Sequence, residues 1–367
     1  MGIGMLNRRN DAAGNKRGAR RRRGVCVLLA ALSVPLIGGC GLRFRESGAV
    51  RSGMELIGSR NFEEARELLE EAAAGGEDGR AVYRALGIAQ MGTGDYAAAA
   101  QSLEKALNKS GILPDSMDYD MNFYLASCYY KLGEYDRAME IYDAILAMDR
   151  NSVDAYEMRG ATEITEGNFD AADADFREAI RRAPTDYDRI ISMYSTMKQY
   201  GFEDAGKSYL SESISANLNM GGYDKGRLSY YLEDYETAKA CFEQAQAGKD
   251  YRVTLMLGKT YIAQGDLNYA SDVYTAYLAA DQTHAEIYNE LGLCYLQLGS
   301  NEKALDAFQT GQKIENSAVR QDLLFNEIVA YEKLGQFTRA AELMQSYLAA
   351  YPEDAEAQRE QMFLRTR

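Results

Sequence analysis

The sequence predicts an all-α fold, an α-solenoid of about nine helix-turn-helix units laid end to end. Three observations predict it. Alanine recurs at Ala65, Ala99, Ala138, Ala172, Ala205, Ala238, Ala270, Ala304 and Ala340, with successive gaps of 34, 39, 34, 33, 33, 32, 34 and 36 residues. A fixed period of that size marks a chain built from stacked helix pairs. Four residues beyond each alanine stands a bulky side chain: Leu69, Leu103, Tyr142, Phe176, Tyr209, Phe242, Tyr274, Phe308 and Met344. Positions i and i+4 share a helical face. Glycine falls between the two helices of most units, at Gly94, Gly133, Gly167, Gly201, Gly265, Gly299 and Gly335. A left-handed residue there costs other side chains roughly 1 kcal/mol or more.

The chain opens differently. Residues 1–23 carry Arg8, Arg9, Lys16, Arg17 and Arg20 to Arg23 against one acid, Asp11, and residues 24–38 hold no charge. A basic stretch followed by a short apolar one is the layout of a secretory signal. The run falls short of the ~20 residues of a membrane span and contains Pro35. It closes on Ile37-Gly38-Gly39-Cys40, which resembles the bacterial lipobox. The resemblance implies that residues 1–39 are a lipoprotein signal peptide, that the Cys40 thiol receives a diacylglyceryl group, and that a peptidase then cuts before it. Two or more acyl chains would then anchor the protein to the extracytoplasmic face of a bacterial membrane. Residues 40–50 read as a lipidated tether.

Residues 51–352 hold the repeats. Upstream of most of the alanines lies a small residue on the first helix of the unit: Gly87, Ala126, Gly160, Gly226, Gly258 and Gly292. It lets the two helices approach, and the bulky residue fills the neighbouring gap. The period, the small residue and the turn glycine together resemble tetratricopeptide-repeat (TPR) proteins. The resemblance implies a right-handed superhelix that binds protein or peptide segments on a concave surface made by the first helices. Several positions depart from the pattern. Arg60 and Glu233 stand where other units have the turn glycine, Gly201 falls one residue late, and bulky Met193 and Ile328 replace the small residue. The 39-residue gap contains "KSGILPDSMD", expected as a loop or slight hinge, and "MGGYDKG" from Met220 looks irregular. Residues 353–367 are expected to form a capping helix, because a solenoid needs a polar end.

Charge and chemistry narrow the function. The chain has 41 basic and 55 acidic residues; removing the 8 and 1 of residues 1–39 leaves 33 and 54, a net charge of −21. Such a chain repels phosphate backbones, so no nucleic-acid partner is expected. Cys128, Cys241 and Cys294 have no zinc spacing and lie in non-adjacent units, so they read as buried small residues rather than disulfides. The single histidine, His284, has no orienting acid evident in the sequence. No phosphate loop, G-x-S-x-G or H-E-x-x-H is present. No catalytic residue, metal or cofactor is expected.

By family alignment the inward-facing residues include Phe123, Tyr130, Asp154, Glu157, Lys198, Arg227, Tyr230, Arg252, Lys259 and Asn289. Four of them, Lys198, Arg227, Arg252 and Lys259, are basic and come from consecutive units, an arrangement expected to attract an acidic or carboxylate-bearing partner. The expectation is a membrane-tethered, non-catalytic scaffold for other envelope proteins. The alternatives are an assembly factor for a secretion, pilus or outer-membrane machine, and a cell-wall glycan-binding lipoprotein or enzyme subunit.

Overall fold

The computed structural model describes residues 47–367 except 78, 112, 113, 246–248 and 316. The expected signal peptide and Cys40 lie outside the described residues. Nineteen helices, and no strand, occur among those described. Eighteen of them pair into nine units: α1 (Gly48–Gly58) with α2 (Phe62–Ala74), α3 (Arg80–Gly92) with α4 (Tyr96–Leu107), α5 (Ser116–Leu132) with α6 (Tyr135–Met148), α7 (Val153–Glu166) with α8 (Phe169–Arg182) and α9 (Tyr187–Gln199) with α10 (Glu203–Ala216). The series continues with α11 (Gly222–Tyr231) and α12 (Tyr235–Gln244), α13 (Tyr251–Gln264) and α14 (Leu267–Leu278), α15 (Ala285–Gln297) and α16 (Asn301–Gly311), and α17 (Arg320–Lys333) and α18 (Phe337–Ala350). The last helix, α19 (Ala355–Leu364), packs on α18. The first helix begins at Gly48, capped by the Ser47 hydroxyl, which accepts from the Val50 N–H at 3.1 Å. The end of the expected tether is therefore helical.

All nine units turn in the same way. One or two residues past the first helix, a residue takes a left-handed conformation, with φ from 63° to 90°, at Arg60, Gly94, Gly133, Gly167, Gly201, Glu233, Gly265, Gly299 and Gly335. The next residue donates its N–H to the carbonyl five positions back at 2.8–3.0 Å, from Asn61 to Leu56 through Gln336 to Tyr331. This bond satisfies a carbonyl that the helix end would otherwise orphan. The turn explains both exceptions read from the sequence, since Arg60 and Glu233 adopt the glycine conformation despite their side chains.

Within a unit, a glycine of the first helix receives the bulky residue of the second. A Cβ at Gly53, Gly87 or Gly160 would come within 2.7–2.9 Å of Leu69, Leu103 or Phe176, and Gly226, Gly258 and Gly292 face Phe242, Tyr274 and Phe308 in the same way. These bulky side chains are fully buried. The fifth unit reverses the roles and corrects the alignment. Its buried small residue is Gly206 on the second helix, not Ala205, and it packs on Tyr194 and Met197 of the first helix. The shift restores the common five-residue step from turn to small residue, so Gly201 is in register and Leu210 takes the bulky position beside Tyr209. The long gap before the third unit is partly absorbed by α5, the longest helix described. Asp115 and Asp118 close its start with a reciprocal capping box.

Candidate functional site

Successive first helices touch one another along the stack, in the pairs α1–α3, α3–α5, α7–α9, α9–α11, α11–α13, α13–α15 and α15–α17, whereas among second helices only α8–α10 is a comparable contact. The first helices therefore line the tighter, inner side of residues 47–367. That side carries a polar ladder. Arg84 of α3 bonds Asp120 of α5 at 2.7 Å, and Arg80 reaches Asp118 at 3.2 Å. The Tyr130 hydroxyl of α5 meets Thr165 of α7 at 3.0 Å, and Thr165 meets the Tyr200 hydroxyl at 2.8 Å. Arg189 of α9 grips Asp154, at 2.8 Å, and Glu157 of α7. Arg227 of α11 pairs with Asp188 of α9. Arg252 of α13 lies over the Tyr223 ring of α11, 5.5 Å from its centroid. Lys259 of α13 reaches Glu290 of α15 at 3.2 Å, and the Asn326 amide of α17 donates to the Asn289 oxygen of α15 at 2.9 Å.

This ladder overturns the expectation of a free basic cluster. Each of the four cations already holds a carboxylate: Lys198 has Glu203 at 2.8 Å, Arg227 has Asp188 and Asp224, Arg252 has Asp250 at 2.9 Å, and Lys259 has Glu290. Asn289 is buried against Asn326 rather than offered to a partner. Phe123 is half-buried with its ring 6.4 Å from Tyr142, and Tyr230 is half-buried between Tyr231 and Tyr235. Along α7, α9 and α11 the more accessible partner of each rung is the acid. The side chains of Asp188 and Asp154 are 82% and 60% exposed, against 16% and 21% for Arg227 and Arg189. Each of these two carboxylates meets its arginine through Oδ1.

Burial sets the remaining titrations. The Glu157 carboxyl is pushed up by desolvation, against the pull of Arg189. The Cys128 and Cys294 thiols are pushed up to about 12 by burial, and with Cys241 they are free and buried. His284 does have a neighbouring acid: Asp281 lies 3.4 Å away, and its ring stacks on Tyr251 at 4.0 Å. Cys294 is ten residues further along α15, about 15 Å at the rise of a helix, so no dyad forms.

The fold and inner face define a class, that of helical-repeat proteins whose first helices present one continuous surface. Tetratricopeptide-repeat models match residues 50–116, 84–153, 255–317 and 325–361, and 153–186 and 223–247, together more than half of the chain. The chain belongs to the tetratricopeptide-repeat family. The stretch left unmatched between 186 and 223 holds the fifth unit, where the glycine has moved to the second helix. Among relatives, the chain is 24% identical over 206 residues to Protein CTR9 homolog of Arabidopsis thaliana, covering 51% of this chain and 18% of that protein. It is 23% identical over 271 residues to the peroxisomal targeting signal receptor of Candida albicans, covering 70% and 44%. The chain thus spans less than half the length of these relatives. A solved tetratricopeptide repeat protein from Parabacteroides merdae matches at 15% identity and a TM-score of 0.42, covering 68% of this chain and 98% of that one. Among the described residues no helix is long and apolar enough to cross a membrane.

Proposed function

We propose that this protein is a non-catalytic scaffold of the bacterial cell envelope, tethered by lipid at Cys40, that holds basic segments of other proteins along its inner face. Membership of the tetratricopeptide-repeat family supports protein binding. The lipobox-like run to Cys40 supports the tether. The observation that carries the partner's chemistry is the asymmetry of two neighbouring rungs: Arg189 and Arg227 are sheltered, whereas their partners Asp154 and Asp188 are open. A segment bearing Lys or Arg gains charge-assisted bonds there without first breaking an ion pair. The net charge of −21 after residue 39 steers cations toward the same surface.

A photoreactive residue placed at Ser192, exposed one turn beyond Asp188 on α9, and another at Glu212, on second helix α10, test this. In intact envelopes a defined crosslinked product is expected from position 192 alone, and it should fade as salt rises. Equal products from both positions, or a yield from 192 that salt leaves untouched, would count against the reading.

A further inference from the structure

From α3 to α17 each rung joins groups that complement one another: acid with base, hydroxyl with hydroxyl, amide with amide, guanidinium with ring. The last rung, from α17 to α19, does not. There Glu332 of α17 meets Glu360 of α19. The Oε1 atom of Glu332 is buried and has no hydrogen-bond partner. Two ionised carboxylates in this position repel, and neither can donate. One proton shared between them supplies the missing donor and removes the repulsion.

The surrounding charges leave the pair as it is. Lys333, next along α17, is exposed and is the smallest influence on Glu332. From α16, Asn301 offers only a neutral bond to the Lys333 carbonyl at 3.3 Å. On α18, Arg339 is taken by Glu342 at 3.0 Å. On α19, Glu356 and Arg359 are exposed. Asp354 is bonded by Tyr347 at 2.6 Å, and Arg367 lies over the Phe363 ring.

We propose that Glu332 and Glu360 form a proton-operated latch that docks α19 on the last repeat and releases it when the shared proton is lost. Burial first, and the Glu360 charge second, push the Glu332 carboxyl up to about 7, from ~4.3 for a free glutamate. The docked state therefore holds a proton that the released state gives up. Docking is strongest below the free value and is lost as pH rises through the docked one. Release uncovers the surface that Ala357 and Leu364 bury with Met344 and Tyr347, an apolar end shaped for a helix.

Hydrogen exchange on the full-length protein in detergent, corrected for intrinsic rates, tests the latch at pH 6 and pH 8.5. Residues 355–364 are expected to lose at least roughly tenfold protection at the higher pH while α13 and α14 do not change. Glu332→Gln keeps a donor and no charge, so it should hold α19 protected at both pH values; Glu360→Gln should do the same. Equal protection of 355–364 in the unaltered protein at both pH values, or the same loss in both variants, would overturn the latch.

Discussion

Two of the nine turns hold a side chain in a conformation that glycine adopts without strain. At Glu233 φ is 66° and at Arg60 it is 63°. Glu233→Gly should raise stability by about 1 kcal/mol, read as a higher urea midpoint. The ion pair it removes, to Lys207 at 3.4 Å, is partly exposed and worth little, and Lys207 keeps Glu203 at 3.2 Å. The opposite change belongs at Gly292, where an added Cβ would enter the Phe308 ring. Gly292→Leu should cost about 1–3 kcal/mol by overpacking, with exchange rising first in the seventh to ninth units. At this scale the sequence is legible where one residue type answers one constraint. The turn glycines and both exceptions can be read by spacing. The fifth unit misleads because Ala205 and Gly206 are adjacent and both small; counting five residues from Gly201 separates them, since the turn fixes the register and alanine only follows it.

The elements are tied by the inner ladder, whose rungs join residues of neighbouring units rather than of one helix. Arg227 and Asp188 are 39 residues apart and Lys259 and Glu290 are 31 apart, close to one repeat. Both carboxylates therefore lie about one period from their cations, a separation the sequence itself carries. Arg189→Ala should show what a rung contributes, because it strips Asp154, Asp186 and the desolvated Glu157 of their common partner. A loss of about 1–3 kcal/mol is expected, and a double-mutant cycle with Glu157→Gln should return a coupling of about 0.5–3 kcal/mol. A second element-level effect sits at the end of α8. There, hydrogen bonds from Arg181 and then Arg182 pull the Glu178 carboxyl down to about 2. A depressed carboxyl stabilises above its free value near 4.3 and loses that contribution as pH falls toward the folded value. Exchange at the last turn of α8 should therefore quicken between about pH 4.5 and pH 2, and in Glu178→Gln it should be fast throughout.

For the whole molecule, stability is close to a sum over units and their interfaces, so urea should unfold it in a graded way. The predicted tether belongs to this scale as well. Cys40→Ser should leave the chain uncleaved or free it from membranes, and a serine variant that is correctly cleaved yet still sediments with membranes would remove the case for lipid at that residue. The fold class could be read because its period repeats nine times, whereas the sign of the inner surface could not, since it depends on which charges neighbouring units cover. The reversed packing of Gly206 against Tyr194 also limits how this chain can be recombined. Exchanging α9 for α7 alone would set Gly160 opposite Gly206 and leave an empty space where a ring belongs. Exchanging α10 for α8 would drive Phe176 against Tyr194. Crossovers placed in the connections between units keep each knob with its own hole, whereas crossovers at Gly201 separate them. Modules that look interchangeable by length can be traded here only as whole helix pairs.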